Sequence, residues 1–178
     1  DSAYGSGGTG SYTIAINGLT AGTTYHVRAY AINSIDTSYG SDVSFTTLAA
    51  PTVTTTAASS ITNTTASSGG NVTSDGGASI TERGIVYSTS ANPTTADTKV
   101  VDGAATTGTF TSSLTGLTGS TTYHIRAYAI NSVGTSYGGD SSFTTIDYAT
   151  VVTATVSGIS SSSASGGGDV TSDGGTSI

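Results

Sequence analysis

The amino-acid sequence predicts an all-β protein built from tandem antiparallel β-sandwiches that repeat every 98 residues. Displacing the chain by 98 positions aligns residues 1–80 with residues 99–178, and 44 of the 80 aligned pairs are identical. A period this long exceeds the roughly 20–50 residues of solenoid and propeller repeats, so each copy is expected to be a whole small domain. Apolar and polar residues alternate within each copy as in half-buried strands, and no stretch carries a helical apolar stripe longer than a turn or two.

The repeat frame divides the chain into three parts. Residues 51–148 form a complete copy, residues 1–50 correspond to the C-terminal part of a copy, and residues 149–178 correspond to the N-terminal part of the next. Neither partial copy contains the counterpart of residues 81–98, the predicted middle strand of the domain. We interpret the chain as a window on a longer array. The alternative is that neighbouring molecules complete the partial copies, and the absent strand counts against simple completion.

Alternation and Gly, Asn and Asp punctuation predict the strands of the complete copy. They lie near residues 51–57, 65–74, 79–88, 97–102, 107–115, 121–131 and 136–146. Seven strands in a domain of this length fit a two-sheet antiparallel sandwich. The SDGG turn at 74–77 is expected to use positive φ at Asp75 and Gly76. Because SFTT (44–47) is followed at once by LAAPTV (48–53), the connection between copies is short, which favours stiffness.

The composition excludes several classes of function. Charged residues make up 8% of the chain, and 11 acidic residues against 4 basic ones give a net charge of −7. Such a surface would repel a phosphate backbone, so nucleic-acid binding is not expected. No apolar run approaches the length of about 18 residues that a membrane span requires, so none is expected in this segment. The chain has no Cys, which excludes disulfides and thiol chemistry.

A family resemblance is carried by residues 117–123 and their counterparts 19–25, in which a Leu, a turn and a Thr-Thr-Tyr lead into the strand YHIRAYAINSVG (123–134). This pattern resembles the approach to the sixth strand of fibronectin type III domains, where the Tyr hydroxyl bonds back to the corner backbone. The resemblance covers residues 51–148 and both partial copies. The variant looks like the Thr- and Gly-rich repeats of very long secreted or surface proteins in bacteria of the Bacteroidota type. It implies a structural corner formed by Leu19, Thr23, Tyr25, Leu117, Thr121 and Tyr123.

The outward positions of the same strand form a candidate interface stripe. If the corner Tyr points inward, the outward face in the two copies carries His26, Arg28, Tyr30, His124, Arg126 and Tyr128. The stripe is interpreted as an ordinary sheet face, with Glu82 as a cross-strand partner, and the alternative is an interface in an assembly. No metal is expected at the His residues, because a metal site needs three or four converging ligands. A weak calcium site at the junction near Asp147 is kept as an alternative.

No catalytic, cofactor-binding or metal site is predicted. One Glu and a set of Asp residues in turns supply no paired carboxylates in a cleft, so the chain is not expected to be an enzyme. The resemblance implies a structural repeat module of a large extracellular bacterial protein, located outside the cell or on its surface, that acts as a stiff spacer or stalk. The alternatives are a subunit of a self-assembling extracellular filament or sheath, and a glycan- or surface-binding adhesin module. The expected partners are other repeats of the same chain and, in a filament, identical chains.

Overall fold

The structure is a computed structural model that describes residues 8–177. Within that range the secondary structure consists of strands, with no helix able to cross a membrane. The strands are β1 (Thr24–Val27), β2 (Tyr30–Ile32), β3 (Thr37–Tyr39), β4 (Val43–Thr46), β5 (Thr52–Ser59), β6 (Thr65–Ser74), β7 (Glu82–Ser88), β8 (Thr98–Asp102), β9 (Gly108–Thr115), β10 (Thr122–Ile130), β11 (Thr135–Tyr137), β12 (Ser141–Thr144), β13 (Thr150–Thr153) and β14 (Gly168–Ser172).

The central unit, residues 51–148, contains two antiparallel sheets. One sheet has the order β5-β6-β9, and the other has the order β11-β10-β7-β8, with β12 also paired to β10. The sheets pack face to face around a continuous apolar core. The prediction of an all-β chain with an antiparallel, immunoglobulin-like sandwich is therefore confirmed.

The core of the central unit draws on both sheets. Its buried members are Val53, Ala66, Val72, Ile80, Ile85, Phe110, Leu114, Leu117, Ile125, Ala127, Ala129 and Phe143. They alternate along β9 and β10 with residues that face outward, as the period of two in a pleated strand requires. Gly70 allows the sheets to approach, because a Cβ there would lie 2.5 Å from the Cβ of Ala127 in the other sheet.

The last predicted strand, 136–146, is wrong as one continuous element, because it divides into β11 and β12 around Gly138. Gly138 lies against β5, where a Cβ would come 2.5 Å from the backbone nitrogen of Thr55. The N–H of Gly138 still donates to the carbonyl of Ala127 at 2.8 Å. The N–H of Ala127, however, donates to the hydroxyl of Thr55 at 3.0 Å. The gap does not depend on β5, because β3 and β4 are separated in the same way around Gly40 in the N-terminal unit, which has no counterpart of β5.

The N-terminal unit, residues 8–50, repeats part of this architecture. Strand β1 pairs with β4 in the register in which β10 pairs with β12, so that Thr24 lies opposite Thr46 as Thr122 lies opposite Thr144. Strand β2 pairs with β3 in the register in which β10 pairs with β11. The internal repeat in the sequence is therefore a repeat in backbone pairing.

The C-terminal unit, residues 149–177, repeats the first hairpin of the central unit. Strand β13 pairs with β14 as β5 pairs with β6. Both hairpins shift register after their first pair, Thr52 with Ser74 and Thr150 with Ser172. Equivalent sequence thus gives an equivalent irregularity.

Candidate functional site

The candidate site consists of the two linkers that join the central unit to its neighbours, together with the tyrosine corners beside them. The first linker is residues 47–50 and the second is residues 145–148. Each follows the last strand of one unit and precedes the first strand of the next. Each is hydrogen-bonded to both of the units that it joins.

The corner of the central unit is built around Tyr123. Its hydroxyl accepts a hydrogen bond from the backbone N–H of Thr118 at 3.1 Å. Its ring stacks on Phe143 with 5.9 Å between centroids. Leu117, the residue before the turn, is buried in the core. The corner therefore holds the start of β10 through one hydrogen bond and one stacked pair of rings.

The N-terminal unit contains the same corner around Tyr25. Its hydroxyl accepts a hydrogen bond from the backbone N–H of Thr20 at 2.9 Å, and its ring stacks on Phe45 at 5.9 Å. The donated N–H stabilises the phenolate, which lowers the pKa of Tyr25 below its ordinary value. Leu19 is half-buried, whereas its counterpart in the central unit is fully buried.

Replacing Tyr123 by Phe should lower the free energy of unfolding of the central unit by about 1 kcal/mol, since one hydrogen bond at a partly exposed site is lost. Urea unfolding of the full chain, followed by tyrosine fluorescence, measures the change. Tyr148→Phe is the control, because Tyr148 is 76% exposed. Equal stability of the two variants would contradict a stabilising role for the corner hydroxyl.

The first anchor of each linker is a threonine that ties it to the preceding corner. The hydroxyl of Thr145, which is 2% exposed, accepts the N–H of Thr121 at 3.0 Å and donates to the carbonyl of Thr118 at 2.6 Å. In the N-terminal unit, Thr47 accepts the N–H of Thr23 at the same distance of 3.0 Å. The predicted corner residues Thr23 and Thr121 thus bond to the residue that begins each linker.

The second anchor ties each linker to the following unit. The N–H of Ala49 donates to the carbonyl of Gly76 at 2.9 Å, and the N–H of Asp147 donates to the carbonyl of Gly174 at 2.7 Å. One residue separates the two anchors, which is Leu48 in the first linker. The linkers therefore contain no run of unattached backbone.

The turn that receives the second anchor approaches the linker too closely for a side chain. A Cβ on Gly76 would overlap the carbonyl oxygen of Ala49 and lie 2.7 Å from its carbon. The predicted positive φ is wrong for Asp75. It occurs at Gly76 (φ 68°) and Gly77 (φ 82°), while the side chain of Asp75 accepts the N–H of Gly77 at 2.9 Å. Asp75 thus closes the turn through its side chain, and the glycines take the left-handed backbone.

Asn131 connects the first linker to the central unit through side-chain hydrogen bonds. It is 5% exposed, and its Nδ2 donates to the carbonyls of Ala49 and Asp75, both at 2.7 Å. Its Oδ1 accepts the N–H groups of Val133 and Gly134 at 2.9 and 3.1 Å. One side chain thus joins the β10–β11 turn, the SDGG turn and the linker.

Two residues of the predicted stripe are held by neighbouring strands of the central unit. His124 Nδ1 lies 2.8 Å from Asp140 Oδ2. Arg126 Nε donates to the carbonyl of Gly138 at 2.9 Å, and its guanidinium lies 4.7 Å from the ring centroid of Tyr137. These side chains therefore brace the place where β11 and β12 are interrupted.

The N-terminal unit repeats this bracing in a more exposed form. His26 Nδ1 lies 2.7 Å from Asp42 Oδ2, with 65% and 51% of the two side chains exposed. The guanidinium of Arg28 lies 4.9 Å from the ring centroid of Tyr39. Tyr30 is half-buried, with its ring centroid 6.2 Å from that of Tyr39.

Tyr128 was expected to be part of an exposed stripe on the outer face of the sheet. This expectation is wrong, because Tyr128 is completely buried. Tyr128 lies in the interior strand β10, opposite Gly84, which offers no side chain, and opposite Tyr137. Its hydroxyl donates to Glu82 Oε1 at 2.9 Å, and Lys99 Nζ lies 5.9 Å from its ring centroid. Long side chains of the same sheet thus cover an outward residue.

The charge cluster over Tyr128 shifts two pKa values. The hydrogen bond from Lys99 Nζ at 2.8 Å, followed by that from Tyr128, lowers the pKa of Glu82 below its ordinary value of 4.5. Burial, followed by the hydrogen bond to Glu82, raises the pKa of Tyr128. The cluster therefore favours a charged carboxylate and a neutral phenol.

Because the folded state lowers the pKa of Glu82, its contribution to stability is present above pH 4.5 and is lost as the pH falls through the folded pKa. Glu82→Gln should therefore be less stable than the wild type near pH 7, and the difference should shrink below pH 4.5. Urea unfolding across this pH range measures it. Lys99→Met should behave similarly, since it removes the main cause of the shift. A difference that does not vary with pH would contradict this role.

Within residues 8–177, no group of three or more His, Asp or Glu side chains could hold a metal ion. Asp147, the residue of the calcium alternative, instead uses its Oδ1 to accept the N–H of Tyr148 at 2.8 Å.

No protein-family profile matches this chain, and no curated protein matches it either. Several solved structures are similar to it, and two of them are described here. The sensor domain of the anti-sigma factor RsgI4 in Pseudobacteroides cellulosolvens is 16% identical over 53% of this chain and 93% of that chain, with a TM-score of 0.38. A crystal structure of domains from titin is 23% identical over 68% of this chain and 40% of that chain, with a TM-score of 0.41. The immunoglobulin-like sandwich described for the central unit rests on its own strand order.

Proposed function

We propose that the chain is a structural repeat module of a large extracellular bacterial protein and acts as a stiff spacer or stalk, without enzymatic activity. The observation that carries this proposal is the double anchoring of both linkers. Thr47 and Ala49 bond to successive units with one residue between them, as do Thr145 and Asp147. The extracellular location is carried over from the resemblance to secreted repeats.

Short, doubly anchored linkers restrict the motion of successive units. A flexible linker needs several residues whose backbone rotates freely, and its reach grows with their number. Here the single residue between the anchors, Leu48, lies against the next unit. Its Cδ2 is so close to Gly77 that a Cβ on Gly77 would lie only 3.2 Å away. In the second linker, a Cβ on Gly175 would likewise lie 3.6 Å from Ile146 Cγ2. An array of such units transmits orientation from each unit to the next.

Spin-label distance measurements test the proposal. The chain has no Cys, so Ser38→Cys and Thr111→Cys place nitroxides on exposed positions of the N-terminal and central units. The distance distribution between the labels should be narrow. Inserting Gly-Gly-Ser after Leu48 separates the two anchors and should broaden it. Equally broad distributions with and without the insertion would contradict a stiff connection.

A further inference from the structure

Strand β10 runs through the middle of the central unit from one linker to the other. It pairs with β7 on one side and with both β11 and β12 on the other. Its nine residues, Thr122–Ile130, span about 30 Å at the usual rise of an extended strand. A strand in this position can carry load along the chain, because its backbone is already extended and is held on both edges.

The residue that follows β10 binds the first linker. Asn131 is buried, and its Nδ2 donates to the carbonyl of Ala49 at 2.7 Å. The same nitrogen donates to the carbonyl of Asp75, also at 2.7 Å. The end of β10 is therefore attached to the linker by a buried side chain, at a site where water competes little for the hydrogen bonds.

The residue that precedes β10 binds the second linker. The N–H of Thr121 donates to the hydroxyl of Thr145 at 3.0 Å, and the N–H of Thr145 donates to the carbonyl of Thr121, also at 3.0 Å. The buried hydroxyl of Thr145 also donates to the carbonyl of Thr118 at 2.6 Å. The two ends of one strand are thus hydrogen-bonded to the two different linkers.

A third contact joins β10 to β5, the strand that follows the first linker. The N–H of Ala127, which is fully buried, donates to the hydroxyl of Thr55 at 3.0 Å. Strand β5 belongs to the other sheet, so this hydrogen bond crosses between the sheets. Gly138 leaves room for the hydroxyl, because a Cβ there would overlap Thr55 Oγ1. Load that enters β5 can therefore pass to β10 near the middle of the strand.

The first linker places the attachments of two units in series. The N–H of Thr23, just before β1, donates to the hydroxyl of Thr47, and the N–H of Thr47 donates to the carbonyl of Thr23, both at 3.0 Å. Two residues further on, Ala49 is bonded to Asn131 at the end of β10. Leu48 alone separates the two attachments, so a pull on one unit reaches the next through a very short piece of backbone.

We propose that β10 is a tension-bearing strut: a pull on the chain passes from the first linker through Asn131 into β10, and leaves through Thr121 and Thr145 into the second linker. This role rests on the spacer function and names the part of the unit that resists extension. On this route the load does not cross the apolar core between the sheets. Resistance to force therefore depends on the hydrogen bonds at the ends and middle of β10 more than on the overall stability of the sandwich.

Optical tweezers applied to the full chain test this role. The chain has no Cys, so Ser44→Cys and Thr150→Cys, at exposed positions on either side of the central unit, can carry the handles. Forced unfolding is governed by the unfolding rate, which is measured at constant force. Thr145→Val and Thr55→Val each remove a hydroxyl that bonds to β10 or to the residue before it. Each should raise that rate roughly tenfold.

Ser68→Ala is the matched control. The hydroxyl of Ser68 is also buried, and it donates to the carbonyl of Thr56 at 2.8 Å within the β5-β6-β9 sheet, away from β10. Leu114→Ala is a second control, because Leu114 belongs to the core and makes none of these hydrogen bonds. Both controls should lose stability in urea. Each should change the rate at constant force by less than about threefold, because the contacts of these residues persist when β10 is released.

The strut is refuted if the rates at constant force simply follow equilibrium stability in urea, with Leu114→Ala among the fastest. It is refuted equally if Thr55→Val, which leaves both linkers intact, unfolds under force as slowly as Ser68→Ala. In either case a narrow spin-label distribution in the wild type still supports the spacer function. A broad distribution together with the expected ranking under force supports the strut and contradicts stiffness, so the two ideas fail separately.

Discussion

Replacing Asn131 by Asp should destabilise the central unit by about 3 kcal/mol and loosen the first linker, because an isosteric carboxylate cannot donate hydrogen bonds. In the wild type, Nδ2 donates to the carbonyls of Ala49 and Asp75, both at 2.7 Å. The variant places a carboxylate oxygen beside these two oxygens at a site that is 5% exposed in the wild type. Urea unfolding of the full chain measures the stability, and the spin-label pair described above measures the linker.

Asn33→Asp is the matched control. Asn33 is the counterpart of Asn131 and closes the same kind of turn, accepting the N–H groups of Ile35 and Asp36 at 2.9 and 3.1 Å. Asp retains that acceptor, so the control should change the stability of the central unit by less than about 0.5 kcal/mol. If both variants destabilise the central unit equally, the bonds from Asn131 to the linker are not the source of its effect.

Alternation and the internal repeat predicted most of the central sandwich. Strand β6 occupies the predicted residues 65–74, and β9 begins one residue after the predicted start of 107–115. The inward positions of β10 were also predictable, since Ile125 and Ala127 alternate with polar neighbours and are fully buried. Local pattern suffices for these features, because the period of a strand is set by its own backbone.

Features that depend on contacts between distant strands were not predictable in this way. Alternation assigns Tyr128 to the outward face, yet its burial depends on Glu82 and Lys99 from β7 and β8. The N–H of Ala127 bonds to the hydroxyl of Thr55 in β5, which lies 72 residues earlier in the chain.

The role of Asn131 was not predicted, although the sequence contained a signal for it. AINS and VTSDGG recur without change in two copies, at positions that the alternation of a strand does not explain. The structure brings Asn131 of the first motif to Asp75 of the second.

Replacing Gly76 by Ala should lower the free energy of unfolding of the central unit by roughly 3–5 kcal/mol. Two terms add. An alanine at φ 68° costs roughly 1–2 kcal/mol through its own backbone. In addition, the methyl group would overlap the carbonyl oxygen of Ala49, so the linker must move and its hydrogen bond to the turn must lengthen. Urea unfolding measures the sum of these terms.

Gly116→Ala separates the two terms, because Gly116 has a φ of 71° and nothing within 4 Å of the position that a Cβ would take. Gly116→Ala should lose only the stability that the positive φ of an alanine costs, and the spin-label distance distribution should stay narrow. Gly76→Ala should both lose more stability and broaden that distribution, since its methyl group displaces the linker. Equal losses in the two variants would mean that the linker yields without cost. The second anchor would then not stiffen the connection, and the spacer function would have to rest on other contacts between the units.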